Sequence, residues 1–405
     1  MLFLYNLGIF FYVFGVRVAS ILNPKAKKWL AGQKSIFNLI QYQNYIQPFW
    51  FHCASVGEFE QGYPLMLKLK DQYPNANFII TFFSPSGYEY VSKRYKTFSV
   101  YYLPIDTPNN AKKFLDLVKP RAAFFIKYEF WFHYLTELKT RQIPTFLVSG
   151  IFRSSQPFFK WYGNLHRKML KSFTYLFVQN EESRHLLNNI GIEHNRVFGD
   201  TRFDRVLQLK GGEFSNDKID TFINHSKVFI AGSVWASDEN ALSCIFQLLP
   251  SDWKIIIAPH EIDNYSTKWL KEGYRTYSNF TSDQTRILIL DTMGMLSKLY
   301  RIASLVYIGG GYGKGIHNIL EAAIYEIPIL IGPKYLKFNE AVELIQEGVV
   351  FNTQEKEVDS MILELIHNDD FYQKIKRKLN FYMSEHTNVS EKILVFLNES
   401  KLLKE

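Results

Sequence analysis

Short apolar runs alternate with amphipathic stretches twice along this chain, and that alternation restricts the possible folds more than any other feature. Residues 48–54, 77–83, 98–103, 122–126, 145–148 and 174–179 read as buried strands. Helical patterns such as 62–72 and 109–118 lie between them. Strands spaced by helices of that length predict parallel βαβ units. A second series begins near residue 205, with strand candidates at 227–232, 253–258, 285–290, 305–309 and 328–331. The weakly patterned stretch 207–223 separates the two series and is the candidate linker. The expected fold class is therefore α/β, with two Rossmann-like, doubly wound domains facing a cleft at the carboxyl ends of their strands.

The first residues follow another pattern. Residues 2–22 are almost continuously apolar, interrupted by Asn6, Arg17 and Ser20. A spanning helix needs roughly 20 such residues. Lys25, Lys27 and Lys28 follow directly, and by the positive-inside rule they keep the remainder on the cytoplasmic side. A cleavable signal peptide would carry a basic leading region and a small-residue cleavage site, and neither is evident. Arg17 inside the stretch leaves a shallow interfacial helix open beside a full span. The expected division is an anchor at 1–22, an acceptor-binding domain at 23–206 and a donor-binding domain at 207–405.

Composition narrows the classes. Of 405 residues, 47% are hydrophobic and 21% charged, which suits a folded protein rather than a disordered one. The only cysteines, Cys53 and Cys244, build neither a disulfide framework nor a cysteine zinc site. The net charge of +8 favours an anionic partner without choosing among nucleic acid, phospholipid and phosphorylated substrate. Residues 138–180 contain no acidic residue, and 151–171 interleaves Arg153, Lys160, Arg167, Lys168 and Lys171 with Phe158, Phe159, Trp161 and Tyr162. That stretch suits a bilayer surface, a phosphorylated lipid or single-stranded nucleic acid, or is a solvated helix with its aromatics in the core.

Chemistry-bearing residues gather at predicted strand ends. Ser55-Val56-Gly57-Glu58 follows the strand ending in His52-Cys53-Ala54. Gly57 lets a ligand approach, the next helix offers free N–H groups, and Glu58 is either a proton acceptor or a helix-terminus carboxylate. Glu129 follows the strand at 122–126 and is either a second acid or a structural partner. The cluster Gly309-Gly310-Gly311-Tyr312-Gly313-Lys314-Gly315 follows another strand and leads to Asn318 and Glu321. Strand, glycine turn and helix start form a candidate phosphate cradle, with Glu321 about one turn inside the helix to meet ribose hydroxyls. It has neither a Walker A ending nor the dinucleotide fingerprint. Ser233, His260 and Asp291-Thr292-Met293-Gly294 end further strands of that series. No residue set has metal-ligand spacing, so no metal or other cofactor is expected.

These segments together resemble the transferases of 3-deoxy-D-manno-octulosonic acid (Kdo) that act in lipopolysaccharide synthesis. The likeness is carried by HCASVGE at 52–58, TFFSPSG at 81–87, LPIDTP at 103–108 and Tyr-Glu-Phe-Trp at 128–131. It continues through QNEE at 179–182, GDTRFD at 199–204, Ala231 to Ser233, Asp291 to Gly294, YIGGGYGKGIHNILE at 307–321 and Gly332-Pro333. The resemblance implies a GT-B fold and a metal-independent, inverting transfer from CMP-Kdo to a lipid A precursor. It implies Glu58 as general base, with Ser55, Gly57, Glu129 and Arg153 on the acceptor or supporting side. Ser233, His260, Met293, Gly294, Gly310, Gly311, Lys314, Asn318 and Glu321 would bind the donor. The partners so implied are CMP-Kdo, the lipid A precursor and the inner-membrane phospholipid surface at the cytoplasmic face, with no nucleic acid. Arg202 or Lys314 is a candidate for the Kdo carboxylate. Two departures stand out: Pro259-His260-Glu261 occupies a place where many members have Pro-Arg-His, and the glycine loop is slightly shorter. A GT-B enzyme using another nucleotide sugar on a membrane lipid is the alternative within enzymes. A nucleic-acid-binding membrane protein would account for the basic aromatic stretch but not for the glycine loop or Glu58.

Overall fold

A strand covered on both faces must be apolar along its whole length, and β1 (Phe49–Cys53) has all five residues buried. The same holds for β2 (Phe78–Phe82), β4 (Ala122–Ile126) and β5 (Thr145–Gly150), while β3 (Ser99–Tyr102), β6 (Tyr175–Val178) and β7 (Asn195–Val197) flank them. The computed structural model describes all residues except 44, 263–264, 271–272, 282–284, 355–357 and 404–405. It pairs these strands in parallel in the order β3-β2-β1-β4-β5-β6-β7. The order therefore reverses between β1 and β4, where Phe49 pairs with Ala122 and His52 with Phe125. They belong to a compact unit made of Met1–Arg205 and Asn388–Glu405.

Two helices precede β1. The first, α1 (Leu2–Ala19), is long and apolar enough to cross a membrane by length and composition. It is nevertheless docked on the unit through polar atoms. Tyr5 Oη donates to Asp106 at 2.5 Å, and Asn6 Oδ1 lies 2.7 Å from His133 Nε2. The second, α2 (Pro24–Gln41), starts with Asn23 accepting from the N–H groups of Lys25 and Ala26, with Pro24 preset for the first turn. Gln33 fastens it to Leu103 O and Ile105 N. The third, α3 (Val56–Gln72), packs behind β1 and starts at the N-cap Ser55.

The second unit, Val206–Thr387, holds another parallel sheet. Its strands are β8 (Val228–Val234), β9 (Lys254–Pro259), β10 (Tyr274–Thr276), β11 (Ile287–Ile289), β12 (Leu305–Ile308), β13 (Ile329–Ile331) and β14 (Val350–Asn352). They run in the order β10-β11-β9-β8-β12-β13-β14. Here the reversal falls between β8 and β12, where Leu305 pairs with Phe229 and Ile308 with Gly232.

Two expectations are corrected. The stretch 207–223 does not stand apart as a linker: it belongs to the second unit and lies largely in the helices Arg202–Gly211 and Asp217–Ile223. The last residues do not stay with the second unit either: 388–405 return to the first, against the expected domain 207–405. Val389, Ile393, Leu394 and Leu397 are buried there with Phe49, Phe51 and Leu65. Asp204 fixes the start of the closing helix Val389–Glu399 by accepting from Val389 N at 3.0 Å and Ser390 N at 2.6 Å. Removing a cap of this kind costs about 1–2 kcal/mol. Asp204→Ala is therefore expected to lower unfolding free energy by that amount in urea titration and to speed proteolysis of 388–405.

Candidate functional site

Where strand order reverses, the covering helices diverge and a crevice opens at the carboxyl ends of the strands. In the first unit that place is β1/β4. Ser55 Oγ accepts from Glu58 N at 3.4 Å, and Glu58 Oε2 reaches back to the N–H of Ala54. The pattern is close to a capping box, so the helix-terminus reading of Glu58 describes part of what it does. The rest is electrostatic. Burial, then the charge of Glu129, pushes the Glu58 carboxyl up to about 7, against the pull of Ala54 N–H, Lys127 and Ser55 N–H. A half-buried carboxylate that exchanges its proton near neutrality is fit to act as a base.

Glu129 has become a fixed partner instead. It is 8% exposed, and its Oε2 receives His52 Nε2 at 2.9 Å and Trp131 Nε1 at 2.8 Å. On its other side, His52 Nδ1 meets Thr81 Oγ1 at 2.9 Å, and Thr81 Oγ1 also accepts from Trp50 Nε1 at 2.8 Å. A fully buried histidine in an apolar strand is thus satisfied at both ring nitrogens. Gly57 shares the first turn of α3, with open space where a Cβ would stand apart from Ser55 Oγ at 3.9 Å. Arg153 is exposed on the segment after β5, and its Nη1 donates to Tyr128 Oη at 3.3 Å. Arg202, a candidate for the Kdo carboxylate, is committed to Asp200 through Nε at 2.8 Å and Nη2 at 2.7 Å. Lys127 is not marked by sequence alone, since one lysine after a strand carries no signal. It holds a left-handed backbone at φ +66° and draws down both Glu58 and Asp200.

The basic stretch at 151–171 divides by environment. Phe158 is buried and Phe159 partly so, whereas Trp161 is 91% and Tyr162 45% exposed. Arg167 is taken up by the carbonyls of Phe158 and Lys160 at 3.0 and 2.9 Å.

In the second unit, the glycine cluster follows β12 at the β8/β12 reversal, and four of its N–H groups are spent within the fold. Gly310 N donates to Asp238 at 2.8 Å, Gly309 N to Gly232 O at 2.8 Å, and Gly313 N and Gly315 N both to Gly310 O. The N–H of Gly310, a residue expected on the donor side, is therefore taken by Asp238. The glycines are required by close approach: a Cβ on Gly309 would meet Ser233 O at 2.4 Å, and one on Gly311 would meet Gly332 Cα at 2.6 Å. The helix behind the loop is also short, Leu320–Ala323, so Glu321 lies in its first turn rather than a turn inside.

The loop assembles side chains. Ser233 sits at a register shift between β8 and β9 with φ +55°. Just beyond it, Trp235 stacks on His260 at 4.3 Å, and His260 stacks on His317 at 4.4 Å. Trp235 Nε1 donates to His317 Nε2 at 2.9 Å. An indole N–H only donates, so that nitrogen carries a lone pair and the ring is neutral. Burial first, then His260, holds the His317 pKa below its usual value, in agreement. Asn318 Nδ2 donates to Glu321 Oε1 at 2.9 Å, bringing those two residues together. Lys314 is exposed, and Met293 is 88% exposed beside Gly294 at φ +87°. The pivot missed in sequence is Asp238, fully buried, which accepts from Trp235 N, Gly310 N and Tyr307 Oη at 2.8–2.9 Å.

Comparison with known proteins supplies independent findings. Residues 27–205 match the family model described as 3-deoxy-D-manno-octulosonic-acid transferase (kdotransferase). A bifunctional glycosyltransferase/methyltransferase of Fusobacterium nucleatum is 25% identical over 389 residues, covering 90% of this chain and 59% of the relative. A 3-deoxy-D-manno-octulosonic acid transferase of Aquifex aeolicus is 28% identical over 336 residues, covering 78% and 85%. One of Chlamydia trachomatis is 24% identical over 356 residues, covering 84% and 82%. Among solved structures, a UDP-N-acetylglucosamine 2-epimerase superposes with a TM-score of 0.63 at 14% identity, covering 90% of this chain and 98% of that one. The UDP-GlcNAc 2-epimerase of Neisseria meningitidis, bound to UDP-GlcNAc, gives 0.60 at 16%, covering 87% and 100%. At such identities the structures speak for the fold alone, which is of GT-B type.

Asp238→Ala would strip the partner from three donors at once, each costing about 1–3 kcal/mol when buried and unmet. The expected outcome is a lower melting temperature and at least tenfold weaker nucleotide binding in calorimetry, with Asp238→Asn intermediate in both.

Proposed function

We propose, because this chain belongs to the 3-deoxy-D-manno-octulosonic acid (Kdo) transferase family, that it moves Kdo from CMP-Kdo onto a lipid A precursor of the lipid IVA type with inversion at the transferred carbon. Such enzymes are glycosyltransferases, and the chain is one. The observation that carries the catalytic part of the reading is Glu58: a half-buried carboxylate at the β1/β4 reversal, with its pKa near 7.

In this reading the acceptor hydroxyl forms a bond to the anomeric carbon as the bond from that carbon to the CMP oxygen breaks. The electron pair leaves with CMP, and the hydroxyl proton passes to Glu58. Glu129, held by His52 and Trp131, lies where its charge raises Glu58, and so makes Glu58 a stronger base. Ser55 and Gly57 shape the turn that presents Glu58, and Arg153 and Lys127 supply cations for the acceptor's phosphate. The Trp235–His260–His317 stack receives the nucleotide. Ser233, Gly311, Lys314, Asn318, Glu321 and the Met293-Gly294 turn complete the donor side, and no metal takes part. Lys25, Lys27 and Lys28 beside α1 support a position on the cytoplasmic face of the inner membrane, with α1 as the attachment.

Incubation with CMP-Kdo and a tetraacyl, bisphosphorylated lipid A precursor is expected to release CMP. The lipid product should gain the mass of Kdo, and UDP-sugars should give nothing. Turnover with a UDP-sugar and none with CMP-Kdo would instead identify a different GT-B lipid glycosyltransferase. Glu58→Gln is expected to retain CMP-Kdo binding while transfer falls roughly 100-fold or more; near-normal turnover would remove Glu58 from the base role.

The sign of the pH effect follows from the same shift. The base works deprotonated, so kcat should rise with pH through about 7 and then level. Glu129→Gln removes the charge that raises Glu58, so the inflection of whatever activity remains should move to lower pH. An unmoved inflection would disconnect the two carboxylates.

A further inference from the structure

The residues of α1 that touch the unit fall on a single face. Tyr5, Ile9, Val13 and Val16 are partly or fully covered, a spacing of three to four residues along the whole helix. The contacts begin at Tyr5 and Asn6 and continue to Tyr12, whose ring meets Trp29 at 6.1 Å and Phe83 at 5.8 Å. The opposite face is bare: Phe3, Leu4, Phe10, Phe11, Phe14 and Val18 are each at least 54% exposed. A helix crossing a bilayer end to end leaves the soluble unit along its length. Here both ends stay on the unit, held at the early end by part-buried polar bonds that lipid would not replace.

The places where α1 docks share one edge of the first sheet. Phe83 follows β2, Asp106 follows β3, and His133 follows β4, so all three lie at the carboxyl edge. The segment after β5 reaches that same edge and carries a second bare aromatic surface. Its turn 160–163 is rigid. Gly163 N donates to Lys160 O at 2.9 Å, a Cβ on Gly163 would meet Pro157 O at 2.0 Å, and Arg167 clamps the carbonyls of Phe158 and Lys160. Phe158 roots the turn in the core. At its tip Trp161 is 91% exposed, with Tyr162 beside it and Lys160 and Lys168 nearby in sequence. A fully displayed tryptophan with a lysine beside it has the chemistry of a bilayer headgroup contact.

We infer that α1 lies in the plane of one leaflet, bare face down, and that the Trp161–Tyr162 turn is a second contact with the same anionic phospholipid surface. The carboxyl edge bearing Glu58 then faces the bilayer, and a lipid-borne hydroxyl meets the base without leaving the membrane. The partner is a lipid surface, since the exposed residues are apolar and aromatic with cations at the rim and no acidic residue from 138 to 180. This deepens the membrane reading of α1 given above. Neither readout below uses turnover, so an error in donor or acceptor leaves both unchanged.

The test uses full-length protein on phosphatidylethanolamine/phosphatidylglycerol vesicles. With exposed Cys244 replaced by serine, a fluorophore is attached at Phe3→Cys, Phe10→Cys or Val18→Cys, and its depth is read with quenchers at headgroup and mid-chain positions. Equal, shallow depths at all three are expected; a deep Phe10 site between shallow ends shows a span and overturns the in-plane helix. In co-flotation, Trp161→Ala should weaken vesicle partition about tenfold and Trp161→Phe much less. Unchanged partition of Trp161→Ala overturns the second contact.

Discussion

In a parallel sheet every strand delivers its carboxyl end to the same edge, and both faces are closed by helices. Polar chemistry has few places to go under that constraint. It collects where the strand order reverses, because only there do successive helices leave opposite faces and part. Both units obey it. The β1/β4 reversal carries Glu58 and Glu129, and the β8/β12 reversal carries Ser233, Trp235 and the glycine loop. The glycines of 309–315 answer to the same geometry: strand ends converge so closely that a Cβ would enter the backbone of β8 or of Gly332.

Within that frame, the first site is organised around a buried carboxylate. Glu129 remains in an apolar wall because His52 and Trp131 donate to it and Thr81 holds His52 in turn. Breaking such a buried pair by deleting one partner costs about 3–5 kcal/mol, so the carboxylate is fixed in place. Its influence passes to Glu58, which is nearer solvent and able to exchange a proton. Two carboxylates in neighbouring positions thereby take different roles through environment alone, one held and one titrating near neutrality.

Which parts were legible in sequence follows from locality. Strands buried on both faces announce themselves by unbroken apolar runs, but β7, β10 and β14 are three-residue edge strands with mixed residues and leave no pattern. Glu58 and Glu129 were visible as carboxylates just past strand ends. Asp238 was not, because it holds Gly310 from 72 positions away, and no spacing rule links them. The glycine loop was visible in sequence, and the structure supplies one reason for its glycines. Glycine at a strand end signals close approach, and whether the approaching group is a ligand or the protein's own backbone is settled only in three dimensions. The return of 388–405 to the first unit depends on Asp204 meeting two N–H groups across a long separation, equally invisible along the chain.

The second site differs in kind from an arginine-lined anion pocket. His317 accepts from Trp235 and is neutral, so it offers a flat surface and not a cation. His260 lies against both rings at 4.3 and 4.4 Å, extending that surface. With the loop N–H groups of Gly309, Gly310, Gly313 and Gly315 spent on the fold, those four cannot also meet a nucleotide's phosphate. Lys334 Nζ is occupied by Gly313 O at 2.8 Å, which leaves Lys314 as the exposed lysine within the loop itself. Stacking is insensitive to salt and an exposed lysine is not, so the share of the proposed donor affinity that the three rings carry is the share that should survive high ionic strength.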